Sequence, residues 1–354
     1  MAGVLRSART SGLARRWPHS FADRVSAPLP GPPQFLRLWW EGGFTGATEG
    51  VASIPVAARA PLPAGDAWLA WLGHASFLLQ LGGCTVAIDP VLSQRILGAG
   101  RRFTPPGLDR LPPLDLLLIS HNHYDHLDAP TVRTLPRDTP VVLPARLGRW
   151  FRRRGFLSVI ELDWWESVRC GALETTFVPA HHWSRRGVFD HCATLWGGWV
   201  LTLPGGLRVY HAGDSAYGPF FAEIGSRYPG IDAALLPIGA YAPRWFMQTM
   251  HMDPEEAVQA CQDLGGRVMV PHALGNVLAV PGTGLGAHPT HPGRMGRRQP
   301  RSRGSVGPRG GAESSLSALK PPSSRQTRTR WLYRHPLPMT NPPLWMRHRR
   351  SPGG

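Results

Sequence analysis

Residues Leu114 to Asp128 read Leu-Asp-Leu-Leu-Leu-Ile-Ser-His-Asn-His-Tyr-Asp-His-Leu-Asp. A mainly apolar run from Leu114 to Ile119 has the length of a buried strand and is far too short to span a bilayer. It empties at Ser120 into His121, His123, Asp125 and His126, four metal-binding side chains within six residues. A strand tip is a rigid platform. Imidazole nitrogens with a carboxylate are the ligands zinc takes in catalytic sites, where one coordination position stays open for water.

The chain has 354 residues, 42% of them hydrophobic, enough for one large or two ordinary domains with a sizeable core. No apolar run reaches the roughly 18 to 20 residues of a membrane-spanning helix. Cys84, Cys170, Cys192 and Cys261 show no paired spacing, which argues for reduced core thiols in a cytoplasmic protein and against a disulfide framework or a cysteine zinc site. The net charge of +16 is unevenly spread. Lys and Arg stand against Asp and Glu as 7 to 3 in residues 1–60, 18 to 19 in 61–270, and 14 to 1 in 271–354. A nucleic-acid-binding face built into the fold would have charged the middle, and the middle is neutral, so no nucleic-acid partner is expected.

Residues 1–60 form an N-terminal extension. Its first 22 residues lack acids and contain arginines, an organelle-targeting composition without the apolar core of a secretory signal. The proline-rich residues 27–34 are expected to be non-helical. Phe35, Leu36, Arg37, Leu38, Trp39 and Trp40 then either pack on the domain or anchor at a membrane interface, because Trp and Arg suit the headgroup boundary. A globular domain is expected over 61–277. Residues 67–81 and 84–89 read as two strands joined at Gly82 and Gly83, and strand signals recur to Pro271. Helices are expected at Ala145–Arg154 and Pro254–Leu264, the second opened by Asp253 as N-cap. Many strands with helices between them imply packed sheets covered by helices.

Two further strand ends carry candidate ligands: His181 and His182 after Leu173–Ala180, and His211 and Asp214 after Leu207–Tyr210. Alone, either is an ordinary polar turn. Together they supply what the first cluster lacks, since a two-metal site needs about three ligands per ion and a carboxylate between ions roughly 3.5–4 Å apart.

His121-x-His123-x-Asp125-His126, followed by His182 and Asp214, resembles the metallo-β-lactamase fold superfamily. Trp71–Ala75, Val159–Glu166, Leu195–Gly197, Ala212–Ser215 and Pro237–Met247 are similar to the branch of N-acyl-phosphatidylethanolamine-hydrolysing phospholipases D. The resemblance covers residues 67–271. It implies an α/β fold, the αββα four-layer sandwich, and two zinc ions: one held by His121, His123 and His182, the other by Asp125 and His126, with Asp214 bridging. It implies a water shared by the ions, acidified towards neutral pH, attacking a phosphodiester to release an N-acylethanolamine and phosphatidic acid, with Asp125 and Asp214 the catalytic carboxylates. Tyr241, Arg244, Trp245, Phe246 and His251 become candidates for contacting a phospholipid substrate; His251 reads equally as a surface histidine. His74 and Asp89 are expected to orient ligands without binding metal. Peripheral contact with a membrane surface follows from such a substrate. A sister hydrolase acting on another ester, such as a phosphorylated sugar lactone, is the competing activity.

The pattern departs at its end. The family closes its second zinc site with a histidine in a motif near Met-His-Trp-Gly-Thr-Phe, whereas this chain runs His272-Ala273-Leu274-Gly275-Asn276-Val277. Codons for these six residues can be chosen as CAT GCA TTG GGG AAC GTT, which one base later spell Met-His-Trp-Gly-Thr and the start of Phe. The sequence therefore suggests a change of reading frame near Pro271, leaving the C-terminal part of the fold incomplete and the chain catalytically impaired. His272 stands one residue away from the missing ligand, and a one-residue shift along a strand turns a side chain to the other face. Residues 278–354, basic and rich in Pro, Gly, Arg and Ser, read as a disordered tail.

Overall fold

The computed structural model describes residues 16–41, 67–96 and 111–273, with three two-residue strands, Arg6–Ser7, Ala60–Pro61 and Ala99–Gly100. Most of the targeting segment, apart from residues 6–7 and 16–22, the frame change beyond Ala273 and the basic tail lie outside the described residues. Twelve longer strands build two sheets. In the first, Trp68–Gly73 (β1), Ser76–Leu81 (β2), Cys84–Ile88 (β3), Leu116–Leu118 (β4), Val141–Pro144 (β5) and Val159–Leu162 (β6) lie in the order β6-β5-β4-β3-β2-β1, closed by Ala60–Pro61. In the second, Ser167–Cys170 (β7), Leu173–Val178 (β8), Gly198–Thr202 (β9), Arg208–His211 (β10), Ala233–Pro237 (β11) and Val268–His272 (β12) lie in sequence order, preceded by Arg6–Ser7. Each sheet mixes an antiparallel meander with a parallel portion, β3 to β6 in one and β10 to β12 in the other.

Side chains alternate along a strand, so each buried strand feeds two cores. Leu116 and Leu118 point between the sheets with Phe77, Val86, Phe177, Trp199 and Leu235, whereas Leu117 and Ile119 point outward under Val132 and Phe151. Those two belong to Ala129–Thr134 (α2) and Gly148–Arg152 (α3), after Pro32–Trp40 (α1) in chain order. On the far side, Phe220–Arg227 (α4) and Pro254–Asp263 (α6) cover Val200, Tyr210, Ala234 and Leu236; the short Arg244–Met247 (α5) lies between them in sequence. Three apolar layers between four structural layers make the αββα sandwich. All four cysteines are free and buried.

Three local expectations change. Residues 67–81 form two strands, because Gly73 (φ 96°) and His74 (φ 51°) turn the chain between them. The segment expected at Ala145–Arg154 is helical over Gly148–Arg152 alone, since Arg146 takes a positive φ that no helix accepts. The proline-rich segment is partly helical: Pro32 and Pro33 occupy the first turn of α1, where a missing N–H costs nothing. That helix buries Leu38 while leaving Leu36 65%, Trp39 64% and Trp40 83% exposed. Among the described residues no helix is long and apolar enough to cross a membrane.

Helix α6 starts as its sequence requires. Asp253 accepts from the Glu256 amide at 2.8 Å, and Glu256 accepts from the Asp253 amide at 3.0 Å. Asp253→Ala removes one cap bond of this reciprocal pair and is expected to cost about 1 kcal/mol in urea denaturation.

Candidate metal centre

The parallel strand β4 delivers His121 to His126 at its carboxyl end, and β8 and β10 of the opposite sheet deliver His182 and Asp214 to the same place. Two donor groups result, each with ligand atoms mutually within 4.8 Å: His121, His123 and His182; and His74, Asp125 and His126. Asp214 reaches both, closing a further group with His121 and His126 and another with His182 and His251. Every metal ligand expected from the sequence therefore converges, and His74 and His251 join them.

The first group has the spacing of a tetrahedral metal site. His121 Nε2 lies 2.9 Å and His182 Nε2 3.2 Å from His123 Nδ1. Three nitrogens around one tetrahedral zinc, each about 2.05 Å from it, would stand ~3.3 Å apart. The tautomers are set from outside. His182 Nδ1 can only donate to the Met250 carbonyl, 3.1 Å away, so its Nε2 keeps a free lone pair aimed inward. His126 Nδ1 lies 2.8 Å from Asp89 Oδ2, and His121 Nδ1 lies 2.9 Å from Ser120 Oγ, whose hydrogen goes to Asp89. Asp89 also accepts from the Ser120 amide at 2.7 Å. One fully buried carboxylate thus fixes two imidazoles at once. Asp89→Asn puts an amide opposite His126 Nδ1, and titration against a chromophoric chelator is expected to show cation binding ~10–100-fold weaker.

Burial pushes His121 and His182 well below the usual histidine range and His123 down to about 4, so these imidazoles are neutral and able to donate lone pairs. Burial disfavours charge on Asp125 and Asp214, yet the hydrogen bond from His74 holds Asp125 below its usual range, and the charge of His126 does the same for Asp214. Burial likewise opposes charge on His126, but the facing Asp214 carboxylate outweighs it and raises its pKa well above normal. His126 Nε2 stands 3.1 Å from Asp214 Oδ2, in a geometry that makes no hydrogen bond, and Asp214 Oδ1 has no hydrogen-bond partner. Buried polar atoms left unpaired in this way ask for an explanation, and a divalent cation between the two side chains satisfies both. The residues present fit a metal.

Several supports could not be read from local sequence. Arg186 donates to the carbonyls of Asn122 and Leu127 at 3.1 and 2.7 Å and stacks on Tyr124, whose hydroxyl donates back to the Arg186 carbonyl at 2.8 Å. It brackets the metal loop from a segment some sixty residues away, with no motif to mark it. Gly213 takes φ 64°, and a Cβ there would stand 2.9 Å from Ser120 Cβ, so only glycine lets β10 turn Asp214 into the centre. His74 and Asp89 take φ of 51° and 44°, a left-handed strain of about 1–2 kcal/mol each of the kind that gathers at functional sites.

The remaining candidates lie beside the centre. His181 packs on Phe220 and joins no donor group among the described residues; His211 is satisfied by the Ala75 carbonyl and the Gly213 amide. Arg244 turns to the His251 carbonyl at 2.9 Å and Glu256 at 2.8 Å. Trp245 stacks on Arg37 and donates to Glu41; Phe246 meets Phe35 edge-on at 5.0 Å and packs with Leu38, Met247 and Met250. Tyr241, half-buried, begins this segment. The aromatic block and the tryptophan-rich helix α1 therefore form one apolar cluster, and Met250 of that cluster aims His182. His272 is fully buried against His211 and Phe77 and belongs to none of the donor groups among the described residues.

A family described as "Beta-lactamase superfamily domain" matches residues 85–272. The N-acyl-phosphatidylethanolamine-hydrolyzing phospholipase D 1 of Caenorhabditis elegans is 38% identical over 208 residues, 53% of this chain and 58% of the nematode protein, so the chain spans less than two thirds of that relative. An uncharacterized protein of Mycobacterium tuberculosis is 37% identical over 262 residues, 70% of this chain and 69% of its own. A metal-dependent hydrolase of Rubrobacter xylanophilus is 32% identical over 224 residues, 62% of this chain and 86% of its own. The family match spans the strands that deliver His121 to His126, His182 and Asp214, and on these grounds the chain belongs to the metallo-β-lactamase superfamily of metal-dependent hydrolases.

Proposed function

We propose that the chain is a zinc-dependent phosphodiesterase of phospholipase D type, which cleaves N-acylated phosphatidylethanolamine at the surface of a membrane. The observation that carries the reading is the continuity between the metal centre and an apolar surface. His182 is aimed by Met250, Met250 packs with Phe246 and Leu38, and Leu38 is the buried side of a helix whose other side presents Leu36, Trp39 and Trp40. Trp side chains with Arg37 among them suit a headgroup boundary, and an acyl chain lying along this cluster would bring its phosphate to the centre. The similarity to the nematode phospholipase supports the same substrate class.

Two zinc ions, when bound, would supply a hydroxide near neutral pH and neutralise charge on a phosphoryl oxygen. The protein's own share is preparation. Burial keeps His121, His123 and His182 unprotonated, Asp89 and the Met250 carbonyl fix the rings, and Asp214 reaches between the two donor groups. Zinc-loaded protein in mixed micelles with acyl-labelled N-acyl-phosphatidylethanolamine is expected to release N-acylethanolamine and phosphatidic acid in equal amounts by mass spectrometry. Release of free fatty acid, or hydrolysis of a lactone with no phosphodiester cleavage, would overturn the reading.

A further inference from the structure

We infer that His74 is a direct ligand of the second cation, taking the place that a C-terminal histidine would otherwise fill. The inference rests on the two-metal reading above and deepens it. The first donor group is complete with three imidazoles, whereas Asp125, His126 and the shared Asp214 leave the second ion short of a donor of its own. From the sequence only His272 stands near that position, and His74 is expected to bind no metal; the structure reverses the two.

His74 Nε2 stands 3.0 Å from Asp125 Oδ2, and the ligand atoms of His74, Asp125 and His126 all lie within 4.8 Å of one another. Two donors on one zinc at ~2.1 Å stand ~3–3.5 Å apart, so His74 and Asp125 already have the separation of neighbours around an ion. The ring of His74 meets that of His126 edge-on at 5.3 Å. Its backbone is held in place from two sides: Trp71 Nε1 and the Ala273 amide, just past the end of β12, both donate to the His74 carbonyl, at 2.7 and 3.1 Å, while φ stays at 51°. His272, by contrast, lies flat against His211 at 5.1 Å with Phe77 at its edge, its two nitrogens unpaired but outside every donor group among the described residues.

The test reads metal, so that it stands apart from any failure of the lipid substrate. Wild-type protein dialysed against zinc is expected to hold two ions per chain by plasma mass spectrometry. His74→Gln keeps a polar side chain facing Asp125 but replaces the imidazole with a poor zinc ligand; it is expected to hold one ion, with the second binding at least ~100-fold more weakly, whereas His272→Ala holds two. Unchanged affinity in His74→Gln, or loss of the second ion in His272→Ala alone, would overturn the assignment. Should His74→Gln fail to fold, anomalous scattering from crystals of zinc-loaded wild type decides. Zinc about 2.1 Å from His74 Nε2 supports the assignment, and Nε2 bonded to Asp125 with no ion beside it refutes it.

Discussion

Asp214→Asn is expected to lower turnover of a chromogenic phosphodiester by ~1,000-fold or more, about 4 kcal/mol of transition-state stabilisation. Replacing a residue that merely orients a ligand costs ~10–100-fold. Asp214 shares one donor group with His121 and His126 and another with His182 and His251, so its loss is felt on both sides of the centre. The asparagine is isosteric, and it removes the negative charge that Asp214 would offer to the cations on both sides. Metal content should fall with the rate, to one ion or fewer per chain. A variant that kept both ions and lost less than about tenfold in rate would show that Asp214 does not lie between the cations.

Trp196→Ala carries the largest expected effect on stability, about 3–5 kcal/mol in urea denaturation monitored by circular dichroism. Trp196 is fully buried in the core between the sheets, and its indole donates to the Ala180 carbonyl at 3.1 Å. Its own carbonyl accepts from Trp164 Nε1 at 2.7 Å. The flanking residues tie this segment across the sandwich: the Leu195 amide donates to the Ala145 carbonyl, and the Gly197 amide donates to the Ser120 carbonyl at 3.2 Å, immediately before the first metal ligand. Truncation therefore leaves a cavity and strands the Ala180 carbonyl, just ahead of His181 and His182. Domains of this kind are stable by only about 5–15 kcal/mol, so this one substitution removes a large fraction. A loss below about 1.5 kcal/mol would mean that the core repacks around the gap.

The layered fold was legible because strand and helix periodicities are local. Leu116 to Ile119 alternate between two cores as a buried strand must, and Asp253 with Pro254 and Glu256 announces α6 in four residues. Where local rules competed, the reading went astray. Proline excludes helix interiors but not first turns, which is how Pro32 and Pro33 begin a helix in a segment read as non-helical. The run from Ala67 to Leu81 is apolar on both sides of Gly73-His74, and nothing in its hydrophobicity marks the reversal that a positive φ at both residues imposes. At the centre, His121 to His126 are neighbours in sequence and announce themselves. Arg186, which holds the same loop, acts over 59 and 64 positions through carbonyls, which carry no side-chain signature. His74 needed the folded chain in view before its nearness to Asp125 had meaning.

The centre draws its donors from both sheets, His121 to His126 from one and His182 and Asp214 from the other, with His74 from the turn between β1 and β2. Bound ions would therefore act as rivets through the sandwich, adding to the Gly197–Ser120 and His211–Ala75 hydrogen bonds that already join the sheets at that end. A ligand bound by the native state and not by the unfolded chain adds RT ln(1 + [L]/Kd), about 2.7 kcal/mol when the free ion is at about 100 times its Kd. Melting temperature then becomes a readout of ion supply as much as of sequence. Variants of this chain can be ranked against one another only at a buffered, stated concentration of free metal.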